Sequence, residues 1–124
     1  MTEIKKIKDE ENKITIYTVS GKFLFDQIID LIKKFYIDEL TLNVIFDLTN
    51  ADMSAITAGE IERIVEISSK YAHLREGGKT AFISSSDLSY GLTRMYEVFA
   101  EIKNHPVTQG AFKNLDDAIS WIIE

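Results

Sequence analysis

The run Val44-Ile45-Phe46-Asp47-Leu48, inside "NVIFDL", constrains this chain more than any other stretch. It is too short for a helix and apolar on both faces. A strand with two apolar faces has to be covered on both sides, as a central strand of a parallel sheet is by its crossover helices. The surrounding sequence meets that demand, because runs of strand period alternate along the chain with runs of helical period.

Residues 3–8 and 14–20 are predicted strands. In "ITIYTVSG", Ile14, Ile16 and Thr18 fall on one face and Thr15, Tyr17 and Val19 on the other. The polar "DEEN" between the two runs suits a hairpin turn. "FLFDQIIDLIKKFYI" places Leu24, Ile28, Leu31, Ile32 and Phe35 at helical spacing. The next helix opens at Thr57, which forms a capping-box pattern with Glu60. Ile61, Ile64, Val65, Ile67 or Ser68, Tyr71 and Leu74 follow on one face, and Gly77-Gly78 stops it.

"KTAFIS" (79–84) reads as a strand. The helix that follows ends at Ile102, with Leu88, Leu92, Met95, Phe99 and Ile102 expected to face the sheet and Tyr90, Arg94, Glu97 and Glu101 on an adjoining face. "PVTQGAF" (106–112) is the last strand. Asn114 caps the closing helix, whose inner stripe is Leu115, Ala118, Ile119 and Ile122. The order is β-β-α-β-α-β-α-β-α. It predicts an α/β fold, a mostly parallel sheet of about five strands with an N-terminal hairpin and four helices. Short loops and the absence of a repeat predict one domain over 1–124.

Charge and composition narrow the function. With a net charge of −6 the chain lacks the basic footprint of a nucleic-acid binder. It has no Cys, so disulfides and thiol chemistry are excluded. Two isolated histidines, His73 and His105, without an acid cluster beside them predict no metal site and no cofactor. No run reaches the ~18 apolar residues of a membrane span, and "MTEIKKIKDEENK" is not a secretion signal, so a cytoplasmic protein is expected.

In open α/β sheets, ligands bind outside the carboxyl ends of the strands. Three such ends are polar here: "DLTNADMS" from Asp47, "SSSD" from Ser84, and Lys113-Asn114. One reading has Thr49, Ser54, Ser85 and Ser86 hold a small acidic or phosphorylated ligand at the helix N-termini. The plainer reading makes the same residues caps and turn formers. Asp47, a lone acid at the strand tip, is expected to accept N–H bonds from the next loop. Gly91, inside a helix, costs about 1 kcal/mol relative to alanine. Either close packing on a neighbour offsets that cost, or Tyr90, Gly91 and Arg94 form the mouth of a pocket. Tyr71 and Tyr96 are expected at the core edge and His105 in solvent.

Four stretches together resemble the SpoIIAA-like branch of the STAS superfamily, which groups anti-sigma-factor antagonists with lipid-binding Sec14-like domains. They are "FDLTNADMSAITAGEI", "GGKTAFIS", "DLSYGLTRMYEVF" and "AFKNLDDAISWI". The resemblance implies a non-enzymatic binding module for a small apolar or amphipathic ligand. Its pocket would lie under the helices that start at Thr57 and Ser86, with Tyr90 and Arg94 at the rim. The alternative is a regulatory protein–protein module. Regulatory members carry Asp-Ser-x-Gly, where the serine is phosphorylated. Here Ala55-Ile56-Thr57-Ala58 stands in that register, which leaves Ser54 and Thr57 as the nearby hydroxyls. A homodimer would cover an open sheet edge and exposed aromatic rings.

Overall fold

A computed structural model describes residues 1–38 and 40–124. It holds strands β1 (Glu3–Asp9), β2 (Ile14–Lys22), β3 (Asn43–Asp52), β4 (Lys79–Ile83) and β5 (Thr108–Phe112). Helices α1 (Phe25–Asp38), α2 (Ala58–Tyr71), α3 (Asp87–Ile102) and α4 (Leu115–Ile123) complete it, with a 3-10 turn at Ala72–Arg75. The sheet order is β1-β2-β3-β4-β5, with β1 antiparallel to β2 and every other pair parallel. The hairpin turn is tied by Asp9, whose carboxylate accepts from the Asn12 backbone and side chain at 3.1 and 2.9 Å.

Each parallel crossover steps one strand in the same direction. Right-handed crossovers of that kind place α1, α2 and α3 on one face. Tyr17, Val19, Val44, Leu48 and Phe35 belong to the core on that side. Tyr17, Phe46 and Phe82 stand opposite one another on neighbouring strands and stack at 5.7 Å between successive ring centroids. The other face is covered by α4, where Ala118 and Ile122 meet Ile14, Ile45, Ala81 and Ile83.

Three expectations need correction. First, β3 does not stop at Leu48. It bulges between residues 47 and 50 and runs on beside β2, pairing Asn50, Ala51 and Asp52 with Ser20, Gly21 and Lys22. Backbone pairing does not require apolar side chains, so the polar "TNAD" concealed this extension. Asp47 is therefore inside the strand and not at its tip.

Second, α3 is rotated from its predicted phase. Ser89, Leu92, Thr93, Tyr96 and Ala100 are buried, while Leu88 and Ile102 are 54% and 70% exposed. Met95 and Phe99 are half-buried. Hydroxyls on the inner stripe find partners there: Ser89 donates to Ser84 and Thr93 to the Tyr90 carbonyl. A polar stripe satisfied in this way is invisible to hydrophobic periodicity. Third, α2 ends at Tyr71 and passes into the 3-10 turn, so Leu74 is exposed, as are Leu24, which precedes α1, and Leu115 at the start of α4.

Candidate functional site

The loop after β4 reaches the outer part of β3 itself, and no bond joins it to the loop that follows β3 among the described residues. Ser85 Oγ donates to the Thr49 carbonyl at 3.0 Å. Asp47 accepts from the Thr49 backbone N–H at 3.1 Å and from its hydroxyl at 2.6 Å. Asp52 accepts the Ser54 N–H at 2.9 Å, and bonds from the Ser54 side chain and backbone hold its carboxyl below the usual carboxylate range.

Thr57 and Glu60 form the complete capping box, each side chain bonded to the other's backbone N–H at about 3 Å. Ser86 caps α3 by accepting from the Ser89 N–H at 3.1 Å. Thr49, Ser54, Thr57, Ser85 and Ser86 are all exposed, and these bonds belong to caps and turns except that of Ser85, which crosses to β3. Lys113 brings the third strand end to the same region. Its ammonium lies 3.9 Å from Asp87 and 4.5 Å over the Tyr90 ring.

Arg94 is exposed and pairs with Glu97 at 3.1 Å. Close packing does not account for Gly91, because a Cβ there meets nothing within 4 Å. Nor does Gly91 line the cavity under the helices. It lies on the exposed side of α3. Gly91→Ala is therefore expected to stabilise the protein by about 1 kcal/mol through helix propensity alone, read as a higher denaturant midpoint. A lower midpoint would show that the backbone at 91 is under a constraint these contacts do not include.

An apolar cavity lies elsewhere, between the sheet and α1, α2 and α3. Its volume is about 70 Å³. Phe23, Ile28, Leu48, Met53, Ile61 and Leu92 make much of its wall. Near the amino-terminal ends of β4 and β5 the lining turns polar, with Ser68, Arg75, Thr80, Tyr96, His105 and Gln109. Tyr90 and Arg94 do not line it.

The polar groups interlock. Ser68 Oγ donates to the Val65 carbonyl at 3.1 Å, which uses its one hydrogen. The Tyr96 hydroxyl, 2.6 Å away, must then donate to it. Burial pushes the Tyr96 hydroxyl up to about 12, so it keeps its proton. Val107 N–H donates to His105 Nδ1 at 3.2 Å. That bond assigns the other nitrogen, Nε2, as the N–H, directed at Ser68 Oγ at 3.4 Å. His105 is thus half-buried and bonded rather than solvated, and burial lowers its pKa from the ordinary histidine value. Tyr96 is 7% exposed and belongs to the core, whereas Tyr71 stacks on Tyr36 at 5.4 Å at the core edge.

Arg75 is the residue that the sequence did not single out. It is 3% exposed. Its Nε donates to the Leu42 carbonyl at 3.0 Å, Nη2 to the Lys79 carbonyl at 2.9 Å and Nη1 to the Tyr36 hydroxyl at 3.2 Å. The guanidinium also lies 5.1 Å from the Phe35 ring centroid. The available signal was weak: one arginine in a turn between a helix and a Gly-Gly pair reads as solvated.

Among known proteins, no family model and no curated protein matches this chain. Solved structures do. One is an uncharacterized protein with a SpoIIAA-like fold from Shewanella loihica, 18% identical, with a TM-score of 0.58 over 98% of this chain and 93% of that one. Another is an anti-sigma factor antagonist from Mycobacterium paratuberculosis, 14% identical, with a TM-score of 0.57 over 100% of this chain and 96% of that one. At these identities the likeness establishes the fold, and the fold is SpoIIAA-like.

Proposed function

Taking the SpoIIAA-like fold as premise, we propose that this chain is a non-enzymatic regulatory module that docks a partner protein through the loops after β3 and β4. One observation carries the reading. Ser54, Thr57, Ser85 and Ser86 in these loops, and Thr49 in the outer part of β3, are exposed, and caps, turns and the Ser85–Thr49 bond pin the backbone that carries them. Such a backbone is pre-organised, so binding there loses little loop entropy. The interior offers less to a lipid-like ligand. A cavity of about 70 Å³ is far below the ~300 Å³ or more of a typical small-molecule site. The anti-sigma factor antagonist that shares the fold is named for action on another protein, and extending such a role to this chain is part of the proposal.

Control by phosphorylation would act at Ser54, because the Thr57 hydroxyl is committed to the capping box. A phosphate on Ser54 would repel the Asp52 carboxylate that now holds the turn. Incubation with cell extract and ATP reads this directly. Absence of phosphate from both Ser54 and Thr57 would remove the switch and leave the docking surface.

For docking itself, a photo-crosslinking residue is placed at 54, at 85 or, as control, at the exposed position Ile123 on α4. The same adduct is expected from 54 and 85 and none from 123. No adduct at the loops, or one only from 123, would overturn the assignment.

A further inference from the structure

We propose that the cavity under α1, α2 and α3 is a site for a small hydroxy-carboxylate, its carboxylate on Arg75 and its hydroxyl on Gln109. Two observations point there independently. The first is an uncompensated charge. Among the described residues no carboxylate pairs with Arg75, whose bonded partners are two backbone carbonyls and a tyrosine hydroxyl. A guanidinium has five N–H donors, so two are left over. Moving a cation out of water is costly, and neutral acceptors and ring faces return only part of that cost. An anion in the cavity returns more.

The second observation is an orphaned acceptor. Gln109 is 9% exposed, and its Oε1 is buried with no hydrogen-bond partner. Its amide cannot simply be reversed. Nε2 donates to the Val107 carbonyl at 3.1 Å, and turning the amide over would set two oxygens against each other. Oε1 therefore needs a donor from outside the chain. A plain carboxylate supplies an acceptor for Arg75 but no proton for Gln109, whereas a hydroxy-acid supplies both.

Size limits the ligand further. A cavity of ~150 Å³ accommodates benzene. One of about 70 Å³ takes a molecule of only a few heavy atoms, on the scale of glycolate. His105 and Gln109 also line an outer groove between the end of α3 and β5, together with Glu97, Glu101 and Asn104. That groove is the natural way in. Its acidic residues oppose an entering anion, so binding should be read after long equilibration.

The test compares thermal midpoints of the purified protein in sodium glycolate, acetate, octanoate and chloride at equal ionic strength. Carbon-13 spectra of labelled glycolate run in parallel. A saturable rise with glycolate is expected, weaker with acetate, and absent with octanoate and chloride. Gln109→Leu keeps the volume and removes the orphan, and it should weaken glycolate binding at least tenfold. Arg75→Met should abolish it, and where that protein fails to fold Gln109→Leu carries the test. Glycolate behaving like chloride, or binding Gln109→Leu unchanged, would overturn the site. Octanoate binding more tightly than glycolate would overturn the small-ligand assignment in favour of a fatty chain.

Discussion

Replacing Gly78 by alanine should cost on the order of 3 kcal/mol or more, while the same change at Gly77 should cost about 1–2 kcal/mol. The two glycines are adjacent and look alike as a helix stop, but they are glycine for different reasons. Gly77 has φ +82° and open space around it, so alanine there meets only the left-handed backbone penalty. Gly78 has no such φ. A Cβ on it would overlap the Leu42 carbonyl oxygen and lie 2.9 Å from the Arg75 carbonyl oxygen. Both obstacles are backbone and cannot rotate aside. The Gly78 N–H also donates to Arg75 O at 2.8 Å, and its carbonyl accepts from Thr108 N–H at 3.0 Å. Any shift that makes room loosens the starts of β4 and β5 together. Denaturant midpoints of the two single variants measure the difference. Equal midpoints would show that the approach of residues 42 and 78 is not tight.

The second large effect is expected at Arg75. Arg75→Met removes a buried charge, which by itself relieves desolvation. It also deprives the Leu42 and Lys79 carbonyls and the Tyr36 hydroxyl of their donor. Each part-buried group left unsatisfied costs about 1–3 kcal/mol. Three such losses outweigh the relief, and a net destabilisation of about 2–4 kcal/mol is expected. Arg75→Lys should recover little of it, because an ammonium is a compact point and cannot span three divergent acceptors as the planar fork does. Chemical denaturation of both variants checks this. A stable Arg75→Lys protein would mean that charge, and not the fork, is what the turn requires.

The order and pairing direction of the elements were legible because they rest on period and length. Val44–Leu48 announced a covered strand, and the Thr57–Glu60 pattern is the capping box of α2. Site chemistry was less legible, and the failures share a physical cause. On α3 the inner stripe is built from Ser89, Thr93 and Tyr96, whose hydroxyls are bonded within the fold. Hydropathy scores such residues as outward-facing. His105 was read as solvated for the same reason, since Ser68 on α2 is far away in sequence, and Arg75 drew no notice because two of its three partners, Tyr36 and Leu42, lie more than thirty residues upstream. Thr49, Ser54 and Ser86 make turn and cap bonds two or three residues away, which spacing can show, whereas the bond of Ser85 to Thr49 spans 36 residues and cannot be read that way. Local bonding can be read from spacing, whereas a bond across the core cannot.

The sheet order β1-β2-β3-β4-β5 has a consequence for how the chain comes together. Every strand adds beside the one synthesised just before it, so no strand waits for a distant partner. The edge of the growing sheet moves steadily toward newer sequence, and its helical covering is laid down in step. On a ribosome this sheet would assemble vectorially. The opposite face of β3, β4 and β5 is the exception, because Ile45, Ala81 and Ile83 have no cover until α4 emerges. The interval between completion of β4 and arrival of α4 is therefore when the nascent chain most needs protection from its neighbours.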